Sequence, residues 1–104
     1  MQIEFIREFL TVADCKSISE AAQNLFLTQP VLSRHIKAIE TELGTDLFAR
    51  SSRGLELTDL GEEVYNSFTN ILRSYDSLVD RISAVKKFNT HSIHFGILAM
   101  TADR

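Results

Sequence analysis

The chain has 104 residues, 44% of them hydrophobic, and a formal net charge of −3, which supports one modest domain with or without an appended element. That charge argues against adhesion to nucleic acid by bulk electrostatics, and the single cysteine, Cys15, excludes an internal disulfide and a CxxC metal site. No apolar run reaches membrane-spanning length and Met1-Gln2-Ile3-Glu4 carries no signal-peptide pattern, so a cytoplasmic protein without a membrane partner is expected.

Residues 3–14 read as a first helix with two adjacent apolar stripes, Ile3, Ile6, Leu10 and Ala13 beside Phe5, Phe9 and Val12. Either a wide buried face or a second partner accounts for the pair. Cys15 reads as a small helix-end residue. Ser17-Ile18-Ser19-Glu20 is a capping box, opening a short helix, Ile18 to Leu25, whose Ala21 and Ala22 permit close approach by a neighbour.

Phe26-Leu27 turns the chain into the stretch that carries most information. Thr28 is a good N-cap, and Pro30 is tolerated in the first turn because the amide it lacks has no intrahelical partner there. Leu32, Ile36, Ile39 and Leu43 form a core-facing stripe. Gln29, Pro30, Ser33, Arg34 and Lys37 fall on the opposite side, and helical geometry adds His35 to that outward set. Gly44 supplies a left-handed stop. Two short helices, the second with an exposed polar face, make a helix-turn-helix pattern suited to reading a major groove, although the glycine often found in such turns is absent.

Leu47-Phe48-Ala49-Arg50 and Leu55-Glu56-Leu57-Thr58 alternate like short strands around Ser51-Ser52-Arg53-Gly54, which has turn chemistry. The reading is a hairpin wing with Arg53 at its tip and Arg50 at its base; a plain loop with solvated arginines fits these residues equally. Cations gather in this region: Arg34, Lys37, Arg50 and Arg53 stand against Glu40, Glu42 and Asp46. From Asp59 to Asp80, Arg73 faces Asp59, Glu62, Glu63, Asp76 and Asp80.

Thr58 caps a long helix, Asp59 to Lys87. Val64, Phe68, Ile71, Tyr75, Leu78, Ile82 and Val85 alternate at intervals of four and three, an uninterrupted heptad seam flanked by Tyr65, Leu72 and Val79. At about 1.5 Å per residue such a helix extends for about 40 Å, more than a small domain covers. Burial of the excess against a copy of the chain is therefore expected over intramolecular burial. Phe88-Asn89-Thr90-His91 breaks the pattern, and Ser92 to Leu98 alternates like a strand.

Ser19-Glu20-Ala21-Ala22 with Leu25, Thr28-Gln29-Pro30-Val31-Leu32-Ser33-Arg34, Leu43-Gly44, Leu47-Phe48-Ala49-Arg50, Arg53, Leu57-Thr58 and Gly61 occur in one order over residues 1–88. Together they resemble the N-terminal DNA-binding domain of LysR-type transcriptional regulators. The resemblance implies a mainly α fold: a winged helix-turn-helix of three helices plus a two-stranded β wing over residues 1–58, followed by a dimerisation linker helix over 59–88. It also implies that residues 89–104 are a hinge and the start of an effector-binding domain, of which Ser92 to Leu98 resembles the first strand. Implied DNA contacts are Gln29, Pro30, Ser33 and Arg34, with Thr28 as cap and phosphate contact and Arg50 and Arg53 in the wing. His35 stands where glutamine is commoner in the family, and Leu60 where alanine is. The implied partners are double-stranded DNA and a second copy joined through the linker helix, with a tetramer open to a longer protein. No cofactor is implied for this part, since an effector would bind the following domain.

Two other classes of function compete. An enzyme lacks support: there is no glycine-rich phosphate loop and no His/Cys cluster, and Ser83-Ala84-Val85-Lys86 matches an S-x-x-K string without its companion motifs. His91 and His94 beside a lone strand make a poor metal site. A winged-helix protein-interaction module is the alternative that the acidic total favours.

Overall fold

The computed structural model describes the backbone of residues 1–92 and the side chains of residues 1–87. Its elements are α1 (Ile3–Cys15), α2 (Ile18–Leu25), α3 (Gln29–Leu43), β1 (Phe48–Ser51), β2 (Gly54–Leu57) and α4 (Asp59–Ser92). Among the described residues, four helices with a two-stranded antiparallel sheet make the mainly helical winged fold expected from the sequence. The chain divides into two compact units, Met1–Leu72 and Arg73–Arg104.

In the first unit the two stripes of α1 merge into one wide buried face. Ile6, Phe9 and Val12 are buried, and Ile3, Phe5 and Leu10 pack against the core they belong to. The Phe9 ring is the common contact: it meets Phe48 at 5.1 Å and Phe68 edge-on at 5.3 Å. One aromatic side chain thus ties α1 to the wing and to the start of α4, an arrangement worth more than its buried area alone. α1 ends where Lys16 enters the left-handed region at φ 56° and gives its N–H to Val12 O.

The helix-turn-helix follows from its caps. Ser17 Oγ accepts the Glu20 N–H at 3.1 Å, and buried Ala21 and Ala22 let α2 lie close to its neighbours. Thr28 Oγ1 accepts the Val31 N–H at 3.4 Å to start α3. Leu32, Ile36 and Ile39 are buried. Leu43, expected on the same stripe, is 42% exposed; as the last residue of the helix it lies beyond the core those three share. Gly44 then ends α3 at φ 76°.

The wing pairs Phe48 with Leu57, Ala49 with Glu56, Arg50 with Leu55 and Ser51 with Gly54. Gly54 is required twice over, because its φ is +106° and a Cβ would press on Lys16 O at 2.9 Å. Lys16 O also accepts the Leu55 N–H at 3.1 Å, so the end of α1 anchors β2.

Thr58 starts α4 by accepting the Gly61 N–H at 3.0 Å while its hydroxyl donates to Asp46 O at 2.9 Å. A Cβ on Gly61 would run into the Leu47 carbonyl oxygen, so only glycine lets this turn settle on the wing's base. The opening turns of α4 belong to the domain core. Phe68 is 6% exposed, and Val64, Tyr65 and Leu72 pack beside it. This corrects the continuous seam expected from the heptad pattern: Phe68 and Val64 are occupied within their own unit.

In the second unit α4 exposes Tyr75, Leu78, Val79, Ile82 and Val85. The helix runs through Phe88-Asn89-Thr90-His91 to Ser92, beyond the end expected near Lys87. Loss of an apolar period removes a packing face but, without glycine or proline, does not stop the backbone. The expected strand begins on Ser92, which is helical; residues 93–98, and with them His94, lie outside the described residues. Among the described residues, no helix is long and apolar enough to cross a membrane.

Candidate nucleic-acid interface

The N-terminal half of α3 presents one polar surface. Thr28, Gln29, Pro30, Ser33, Arg34 and Lys37 are all exposed, because the stripe of Leu32, Ile36 and Ile39 commits the opposite face to the core. Among the described residues, no ion pair engages Arg34, Lys37 or Arg50. Their charge is therefore not compensated within the domain. The amides of the first helical turn lie beside them and add the positive end of the α3 dipole.

His35 departs from that surface. Its ring stacks on Phe5 of α1, with centroids 4.3 Å apart and planes at 19°, and its Nδ1 lies 2.7 Å from Glu8 Oε1. A Glu8 carboxylate can only accept, which puts the imidazole hydrogen on Nδ1. Glu8 is buried at 7% exposure, and this bond supplies its partner. The outward placement expected for His35 is thus corrected: α1 brings a carboxylate and an aromatic ring to its flank of α3, and the side chain turns toward them. Its geometry is that of a group that fixes how α3 sits on α1.

In the wing, Arg53 stands at the two-residue tip, 80% exposed, with Nε 3.2 Å from Glu56 Oε2. Ser51 Oγ accepts the Arg53 N–H at 3.1 Å and holds the tip closed. Arg50 is exposed but lies opposite Leu55, one pair from the tip, and not at the base, where Phe48 pairs with Leu57. The register places it, since each strand has only four residues.

Three contributors escaped the sequence reading. Glu40, on α3, accepts both the Leu47 N–H at 2.8 Å and the Phe48 N–H at 3.3 Å through Oε2. It thereby docks the wing onto α3. Lys16 lines a shallow depression together with Arg53, Glu56 and Glu62, adding a cation near the wing. Glu8 is the third. Glu40 carries a weak signal as a carboxylate one turn from a helix end followed by a loop in need of acceptors; Lys16 and Glu8 carry none, because their partners are remote in sequence.

A capped helix-turn-helix whose second helix shows an uncompensated polar face, flanked by an arginine-bearing hairpin, defines a winged helix-turn-helix module. Residues 3–62 match the model of the bacterial regulatory helix-turn-helix proteins of the lysR family. The chain belongs to that family. It is 34% identical over 102 residues to the HTH-type transcriptional regulator BudR of Klebsiella aerogenes, covering 98% of this chain and 71% of that protein. It is 33% identical over 102 residues to BudR of Raoultella terrigena, covering 98% of this chain and 35% of that protein; the chain thus spans about a third of the length of several relatives it matches. Among solved structures, the BenM_DBD/catB site 1 DNA complex is similar at a TM-score of 0.78 and 32% identity, covering 83% of this chain and 97% of that one.

Proposed function

We propose that this chain binds double-stranded DNA in a sequence-specific way as the DNA-reading part of a LysR-type transcriptional regulator, and that it acts as a dimer. The observation that carries the reading is the exposed, unpaired cationic and amide-bearing face at the start of α3. Similarity to a protein crystallised with DNA supports it. In this reading α3 enters the major groove. Gln29 bonds an adenine edge, Arg34 bonds guanine, Pro30 touches a thymine methyl and Ser33 completes the set. Thr28, Lys37 and the first amides of α3 meet phosphates, while Arg50 and Arg53 extend the footprint from the wing, Arg53 toward the minor groove or its phosphates. His35 is left out of the contact set and positions α3 through Glu8.

Few cations per domain make for weak binding by a single copy. Two copies joined through α4 read two half-sites and supply usable affinity. The exposed residues Tyr75, Leu78, Ile82 and Val85, with Ile71, form the pairing face in this reading. Residues 1–58 with the opening turns of α4 read, and the remainder of α4 pairs. In this reading no cofactor takes part, and a small-molecule effector would bind the domain that follows.

Selection of duplex fragments from a random pool by the 104-residue chain tests the proposal. Recovery of a two-fold related motif, with affinity that falls steeply as salt rises through counterion release, is the expected result. Recovery of no motif, with binding to a protein partner that barely responds to salt, would favour the interaction-module reading instead.

A further inference from the structure

We infer that Phe26 is an apolar contact to duplex DNA, its ring lying against the sugar edge of the strand that the N-terminus of α3 approaches. This rests on DNA binding through α3 and adds one group of different chemistry to that surface.

Phe26 is 95% exposed; Leu60, at 53%, is next among the exposed large hydrophobic residues described. It occupies the left-handed region at φ 58° and ψ 40°, a conformation that a bulky side chain rarely adopts and that suits glycine or asparagine. The neighbours on either side, Leu25 and Leu27, pack against the core, so the turn places this one ring outside. The turn itself is closed by backbone: the Phe26 N–H reaches Gln23 O at 3.2 Å and the Leu27 N–H reaches Ala22 O at 2.9 Å. Glycine or asparagine makes the same bonds. Neither the core nor the turn uses the ring, yet a strained position carries it, and such a backbone outlier at a helix-turn-helix corner is a mark of function.

The position selects the occupant. Phe26 immediately precedes Leu27 and the Thr28 cap, and the exposed groups Thr28, Gln29 and Pro30 follow. Phe26 therefore stands at the corner through which the chain enters α3, two residues before its cap. Between its phosphates the DNA backbone offers deoxyribose C–H edges, on which an uncharged ring gains by excluding water. Such a contact releases no counterion.

The test compares Phe26→Gly, Phe26→Asn and Phe26→Tyr in the 104-residue chain, read by affinity for the duplex that the unsubstituted chain selects. Glycine and asparagine should each weaken binding about fivefold to tenfold, the share expected from burying part of one ring. Their thermal midpoints should stay level or rise, because both residues suit the left-handed turn. The slope of log Kd against log salt should not change, and tyrosine should restore affinity. Full affinity in the glycine and asparagine variants overturns the inference. A lowered midpoint overturns it by making the ring structural; a changed salt slope does so by showing that the phosphate contacts of α3 moved. If the unsubstituted chain selects no duplex, the DNA reading falls and takes this inference with it, whereas loss of the Phe26 effects alone leaves that reading standing.

Discussion

Arg34 gains nothing from a carboxylate within its own domain, so its guanidinium is available for a base edge or a phosphate. Arg34→Ala should cost about 1–3 kcal/mol of DNA affinity and relax preference at one base position. A titration in which the substitution leaves affinity and preference unchanged would remove Arg34 from the reading set. Tyr65 supplies a second measurement at this scale. Its hydroxyl donates to Asp14 Oδ1 at 2.6 Å; that bond first, then burial and the charge of Asp14, raise its pKa above the ordinary 10.0. The folded state therefore holds the proton more tightly than the unfolded chain does. The stability this contributes is fully present below pH 10 and is lost as pH rises through the folded value. Urea midpoints measured upward from pH 10 should fall more steeply for the native chain than for Tyr65→Phe. Single residues were readable in the sequence where one helix decides their direction, as with Ser33, Arg34 and Lys37. His35 was not, because its bearing is set by Glu8 and Phe5 on another helix, and a periodicity count sees only the helix it is made on.

At the scale of elements, caps and breaks were legible for the same local reason. Thr28, Ser17, Gly44 and Gly54 each do what their chemistry favours within a few residues. The corner at Phe26 was not legible as left-handed, since its side chain argues for an ordinary conformation and only the closing backbone bonds impose the other. The dock between α3 and the wing was also hidden. Glu40 serves two amides at once, and both are charge-assisted bonds. Glu40→Ala should destabilise the domain by about 2–4 kcal/mol, because two donors lose their acceptor. Glu40→Gln, which keeps a carbonyl oxygen, should cost clearly less. A Glu40→Ala midpoint equal to that of the unsubstituted chain would show that the carboxylate does not hold the wing.

For the molecule as a whole, the heptad pattern was correct about which residues are apolar and silent about who covers them. Phe68 fills the domain core beside Phe9, whereas Ile82 is left half exposed, and no count of intervals separates these two cases. Exposed apolar positions spaced along a helix are costly in water unless a second surface meets them. Ile82→Glu should therefore shift a dimer toward monomer in sedimentation and weaken DNA binding, while the unfolding of residues 1–72 stays unchanged. A dimer that persists unaltered would move the pairing face elsewhere.

The clasp of Glu8 and Phe5 on His35 has a bearing on inheritance. A helix that leans on its neighbour takes its tilt from that neighbour, so a change on α1 can re-aim Gln29 and Arg34 without altering either. Selection for mutants that prefer a different operator should return substitutions at Glu8 and Phe5, on the flank of α3 away from its exposed face, alongside substitutions at Gln29 and Arg34.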